Sequence, residues 1–266
     1  MKKLLIAGIA VAVTIAAQPA FALATATASI TGFSFTLIDL DLTDGITPAL
    51  TFTGQSSQVQ VWSPFGSQFD NAAEWFTPLQ SSIDLPPFAA SSQITATGGS
   101  ASASNAGTLN SGDNSFVGGS AYPVLASISI TPRTGVIFRT SFAGSATTTV
   151  GQVGNDSEFA FAEGYMYLFL SEASGGQQFI SFRNVSAGSQ FNGNGFVGES
   201  NSFNGVLEMT YANFSSVASS GSVFAYAAAY ASSTLPIPEP GTWALMLAGL
   251  LGVSAATRRK HLVTVG

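Results

Sequence analysis

The sequence predicts an all-β body, an antiparallel β-sandwich or jelly roll, set between two short apolar termini. Three observations carry this. Runs of about 6–12 residues alternate apolar and polar side chains. Clusters of Gly, Asn and Ser separate them. No comparable stretch of the body repeats at the 3.6-residue period of a helix, and no fixed-period repeat marks a propeller or solenoid.

Taken in order, residues 29–43 read SITGFSFTLIDLDLT. Phe33, Phe35 and Leu37 alternate with polar residues, and then Ile38, Leu40 and Leu42 do. The parity changes between Leu37 and Ile38, which predicts a β-bulge there, with the strand ending at the turn Asp44-Gly45. Leu50 and Phe52, then Val59 and Val61, flank Gly54-Gln55-Ser56-Ser57, which reads as a hairpin. Pro64, Pro78, Pro86 and Pro87 interrupt the next segment. A short helix over 70–76 is expected there, with Asp70 as its cap, and Trp75, Phe76 and Phe88 fold the segment onto the core. Residues 91–120 are rich in Ser, Ala, Gly, Asn and Thr; the Ser/Ala alternation from Ser100 to Ser104 fits either a strand or a loop. Strands follow over Val124–Thr131, Gly135–Ala143, Glu158–Leu170, Phe179–Val185, Val206–Tyr211 and Ser222–Ala231. In the second of these, Val136, Phe138 and Phe142 share one face and Arg139 takes the other.

Residues 1–24 read as a secretory signal peptide. Lys2 and Lys3 are its positive start, Leu4 to Ala17 its apolar run, and Ala20-Phe21-Ala22 or Ala22-Leu23-Ala24 its small-x-small cleavage site. The implied partners are the secretion translocon and signal peptidase. The β-rich domain then spans 25–234. Residues 235–260 begin with a proline-rich tripeptide, Pro238-Glu239-Pro240, run through the uncharged segment 241–257, and end in the membrane stop Arg258, Arg259 and Lys260. As a transmembrane helix, 241–257 spans roughly 26 Å at about 1.5 Å per residue, close to a hydrocarbon core of about 30 Å. Trp243 suits the headgroup level, and the basic cluster keeps the tail 261–266 cytoplasmic.

This tail resembles the PEP-CTERM sorting signal of exported Gram-negative bacterial proteins, in the order Pro-Glu-Pro-Gly-Thr-Trp, apolar run and Arg pair. The resemblance implies an exosortase as partner and Pro238, Glu239 and Pro240 as its recognition element. It implies a stay in the inner membrane followed by display at the cell surface or in the extracellular matrix, as in a biofilm. Six residues follow the basic cluster, more than such tails usually carry.

The body's chemistry is narrow. Between residues 25 and 234 the only bases are Arg133, Arg139 and Arg183, against thirteen acids, a net charge near −10. So acidic and lysine-free a surface repels phosphate, which excludes nucleic acid as a partner. Cysteine is absent and the one histidine, His261, lies in the tail. Triads, Cys-His pairs and histidine-ligated metals are thereby excluded, and no catalytic residue is assigned. Asp39, Asp41 and Asp44 come nearest to a calcium loop, but counting from Asp39 the glycine falls at position 7 and position 12 is Leu50. Aspartates facing water from a strand fit better, with no cofactor required. Glu158 and Glu163 are five apart, on opposite faces of a strand, and read as surface acids of a lysine-free protein, which disfavours a carboxylate hydrolase. Trp62, Trp75, Tyr165, Tyr167, Tyr226 and Tyr230 are candidates for a platform binding extracellular polysaccharide, with Tyr226 and Tyr230 on one strand face. Three N-x-Ser sequons, at Asn155, Asn184 and Asn213, read as coincidence.

Overall fold

A computed structural model describes residues 23–107, 115–149, 152–153, 156–172, 175–188, 190–191 and 196–234. Among them there is no helix. Two antiparallel sheets pack face to face as a β-sandwich. The first sheet contains β1 (Ala24–Asp39), β4 (Leu79–Leu85), β5 (Phe88–Thr95), β6 (Gly98–Asn105), β8 (Thr134–Thr147) and β14 (Ser200–Asn213), in the order β14-β8-β1-β6-β5-β4. The second contains β2 (Leu50–Ser63), β3 (Gly66–Ala72), β7 (Ser115–Ile130), β10 (Asp156–Glu172), β11 (Gly175–Gly188) and β15 (Ser219–Ser233), in the order β11-β10-β15-β7-β2-β3. The short β9 (Gln152–Val153) pairs with β10, and β12 (Gln190–Phe191) pairs with β13 (Phe196–Val197).

Period-2 alternation puts every second side chain into the gap between the sheets. Much of that core is alanine: Ala24, Ala26 and Ala28 on β1, Ala160 and Ala162 on β10, Ala225, Ala227, Ala229 and Ala231 on β15. Small side chains on these strands leave room for large ones elsewhere. Phe138 and Phe142 on β8 are fully buried, and Val136 shares their face as expected, while Arg139 points out and pairs with Glu208 at 2.7 Å. The Phe142 ring fills the space over Gly164, where a Cβ would stand 2.2 Å from it.

Three expectations change, and one left open is decided. The bulge in β1 lies between Thr31 and Ser34, not at Leu37–Ile38. Inward residues are Ala24, Ala26, Ala28 and Ile30 before it, and Phe33 and Leu37 pack on the core after it. Gly32, at φ +67°, accommodates the extra residue, and its amide donates to the Thr97 carbonyl. The second parity change, at Ile38, falls where β1 runs out into a turn. Residues 49–62 are not a hairpin either. β2 is one strand paired with β7 from Leu50↔Ile130 to Trp62↔Gly118, and Gly54, at φ +57°, sits in a second bulge. The helix expected over 70–76 is absent: Asp70 belongs to β3, which pairs with Ser57–Ser63 along the sheet edge. Ladder bonds to β2 outcompete a one-turn cap with little apolar face to bury. Ser100–Ser104 is strand, in β6 between β1 and β5. Trp75, Phe76 and Phe88 do pack onto the core.

The signal segment through residue 22, the sorting signal, the helix 241–257, the basic cluster and the tail 261–266 lie outside the described residues. Among the described residues no helix is long and apolar enough to cross a membrane.

Candidate functional site

The outward face of the second sheet is built from two strands that alternate small inward residues with large outward ones. On β10, Phe159, Phe161, Glu163, Tyr165, Tyr167 and Phe169 face out while Ala160, Ala162, Gly164, Met166 and Leu168 face in. On β15, Phe224, Tyr226, Ala228 and Tyr230 take the outward positions. The register sets Phe161 beside Tyr230, Glu163 beside Ala228, Tyr165 beside Tyr226 and Tyr167 beside Phe224. Neighbouring rings then stack, with centroids 5.2 Å apart for Tyr165–Tyr226 and 4.7 Å for Tyr167–Phe224.

The field continues over β7 and β2. Tyr122 lies 4.8 Å from Tyr226, and Phe116 lies 5.5 Å from Tyr230. Trp62 reaches Tyr230 at 5.5 Å by lying across Gly118. A Cβ at 118 would stand 2.7 Å from the indole, so glycine is what lets the ring lie flat. At the other margin, on β11, Phe182 stacks on Tyr165 and is 53% exposed.

Glu163 is the acid in this field. Ala228, between Tyr226 and Tyr230, has no side chain to block them, and both hydroxyls donate to Glu163 Oε1, at 3.0 and 3.1 Å. The hydroxyls of Tyr226 and Tyr230 are pushed far above the usual tyrosine range, first by burial and then by the adjacent carboxylate. Burial also raises Tyr122 and Tyr165.

Five of the six aromatic candidates therefore meet on this face: Trp62, Tyr165, Tyr167, Tyr226 and Tyr230. Trp75 does not. It wedges against Phe33 and Phe52, and its Nε1 donates to the Leu125 carbonyl at 2.8 Å. Glu158 and Glu163 point to opposite faces, as their spacing predicts. Glu158, however, is no surface acid: it is 1% exposed and accepts the Thr149 amide at 2.8 Å. Phe159, Phe161, Tyr122, Phe116 and Phe182 were missed as members, although the alternation in FAFAEGYMYLFL marks those on β10.

Asp39, Asp41 and Asp44 do not converge. Each accepts from the chain two residues on: Asp41 amide, Thr43 amide and Ile46 amide respectively. The Thr43 hydroxyl, then its amide, hold the Asp41 carboxyl below its usual value. Among the described residues, no three acids or histidines gather closely enough for a metal. Asn213 of the third sequon is buried, its amide donating to the Thr131 and Val217 carbonyls.

Of the cleavage-site alanines, Ala20 and Ala22 lie outside the described residues, while Ala24 is a fully buried residue of β1. The two ends of the domain meet at one pole. The Leu23 amide donates to Thr149 Oγ1 at 2.9 Å, and Thr149 leads through Glu158 to β10. There Ser157 and Thr234 exchange hydrogen bonds, with the Ser157 amide donating to Thr234 Oγ1 at 2.7 Å and the Thr234 amide to the Ser157 carbonyl at 3.0 Å. Thr234 thus closes β15, two residues before a known sequence motif starts. No curated protein and no solved structure matches the chain. Residues 236–260 match the PEP-CTERM protein-sorting motif, and that motif implies export and processing by exosortase.

Proposed function

We propose that the chain is a non-enzymatic β-sandwich protein of the cell surface or extracellular matrix, exported through the secretion translocon, trimmed by signal peptidase, held in the inner membrane by its tail and then processed at Pro238-Glu239-Pro240. The sorting motif at 236–260 carries this reading. The pole supports it: with only 235–237 between Thr234 and the tripeptide, the end of the body lies at most about 14 Å from Pro238. Cleavage after Ala22 fits better than after Ala24, because the second would remove Leu23 and the buried first residue of β1. The body's lack of histidine and cysteine, and the opposed directions of Glu158 and Glu163, support a non-enzymatic role. The test is a Pro238→Ala/Pro240→Ala double variant in the native host. A larger, membrane-associated form is expected on a gel; processing at the normal size overturns the reading.

The aromatic face supports a second, compatible reading, a module that binds extracellular polysaccharide. Half-buried rings presented side by side match the apolar faces of pyranose rings, and they gather on one face of one sheet.

A further inference from the structure

Glu163 stands between two rows of rings, Phe161 and Tyr230 on one side, Tyr165 and Tyr226 on the other. Each row is about 7 Å away, two residues along a strand. Both tyrosine hydroxyls occupy Oε1, and among the described residues no donor lies on Oε2. None of the body's three arginines answers the charge. Arg139 pairs with Glu208, Arg133 donates to the Phe214 carbonyl, and Arg183 donates to the Phe182 carbonyl at 3.1 Å. Arg183 is also paired with Gly164, so it shares the opposite face of the sheet from Glu163.

We propose that this face selects an amine-bearing glycan, with an ammonium group at Glu163 Oε2 and sugar rings on Trp62, Phe161 and Tyr165. The proposal rests on the polysaccharide-binding reading and names the class of sugar. Aromatic faces carry negative quadrupoles that attract a cation, and a carboxylate set among them adds a full charge in surroundings drier than bulk water. The same carboxylate, on a body of net charge near −10, repels uronic acids. A neutral sugar gains the stacking alone.

The experiment uses the processed protein purified from its host and three probes of equal length: a glucosamine oligosaccharide, its N-acetylated counterpart and an oligouronate. Calorimetric titration is expected to rank glucosamine about tenfold tighter than the N-acetylated chain, the size of one well-placed cation–π and charge contact. No binding of the uronate is expected. Glu163→Gln, which still accepts from both tyrosines, is expected to remove that preference, bringing the two chains to within about twofold of each other. Asp84→Asn, an exposed acid on the other sheet, removes the same charge and is expected to keep the preference. Equal or tighter binding of the N-acetylated chain overturns the inference. So does a preference that survives Glu163→Gln or falls equally with Asp84→Asn, which would mark general attraction of a polycation. Failure of all three probes overturns the polysaccharide-binding reading itself.

Discussion

The two outward faces of the sandwich differ as much as two faces of one protein can. Across the first sheet, the register lines up Ser82, Ser91, Ser102, Thr27, Ser145 and Ser202 in a single cross-strand row. Beside it run Gln80, Gln93, Ser100, Ser29, Ala143 and Asn204. A shallow depression of about 550 Å³ lies over these short side chains. Across the second sheet the equivalent rows are Phe161, Tyr230 and Trp62, and then Phe182, Tyr165 and Tyr226. Both sheets turn an apolar, alanine-rich side to the core, with the buried phenylalanines Phe88, Phe138 and Phe142 coming from the first and Met166, Leu168 and Leu170 from the second. The difference shows that the alternation fixing the sandwich leaves the outer positions free, and that each outer face answers to a different demand. Hydroxyls satisfy one another sideways: Ser91 with Ser102 at 2.8 Å, Thr27 with Ser145 at 2.7 Å, Thr147 with Ser200 at 3.1 Å. Rings leave apolar area in contact with water, which a lysine-free surface does little to cover.

The largest effect that separates the faces is expected from Trp62→Ala. The indole covers Gly118 and meets Tyr230, so its loss removes both a buried contact and a ring pair. We expect a fall in stability of about 2 kcal/mol, read as a lower urea midpoint at unchanged slope. Polysaccharide retained in pull-down should be lost with it. A variant that keeps full stability and full retention would place the binding surface elsewhere.

The positions of most strands were legible because alternation is a local property. The bulges were not placed correctly, and the reason is instructive. Gly32 and Gly54 both mark a switch of inward parity, from Ala28 and Ile30 to Phe33 and Leu37, and from Leu50 and Phe52 to Val59 and Val61. Locally, a glycine between two such runs fits a turn as well as a bulge. Pairing with Ser127–Leu125 on β7, some 70 residues away, is what settles β2 as one strand. Asp70 was misplaced for a different reason: β3 forms a local hairpin with β2, closed at Ser63↔Gly66, but its sequence GSQFDNA lies exposed and carries no apolar alternation to mark a strand. The site divides the same way. Tyr226 and Tyr230 were visible as one strand face, whereas their shared acceptor, Glu163, depends on the register of β10 against β15. The hydroxyl rows draw one or two residues from each of six strands, and no single stretch of sequence displays them.

The next effect is a pH dependence confined to the aromatic face. Burial, reinforced by Glu163, raises the hydroxyls of Tyr226 and Tyr230 in the folded state. In the unfolded chain they ionise near the ordinary tyrosine value of about 10. Above that value the unfolded state loses protons that the folded state keeps, so stability is intact below about pH 10 and declines as pH rises further. Urea midpoints from pH 8 to 11 should show this decline, and absorbance titration should show two tyrosines that resist ionisation until the fold is lost. Glu163→Gln removes the carboxylate's part and should make the decline shallower. A decline as steep in that variant would assign the whole shift to burial.

The smallest effect belongs to the hydroxyl face, and Ser102→Ala is the case to measure. Ser102 exchanges one hydrogen bond with Ser91, at 2.8 Å, in the middle of the row. Its partner is left half in contact with solvent, so water can replace the lost bond and no buried polar atom is stranded. Alanine keeps the outward position small and suits the alternation already present in Ala101, Ala103 and Ser104. We therefore expect a change of about 0.5 kcal/mol or less, with no change in polysaccharide retention or in the high-pH decline. A loss comparable with that of Trp62→Ala would mean that the row acts as one cooperative network. The contrast drawn here, a self-satisfied hydroxyl face against an aromatic face open to a ligand, would then fail on the side that looks inert.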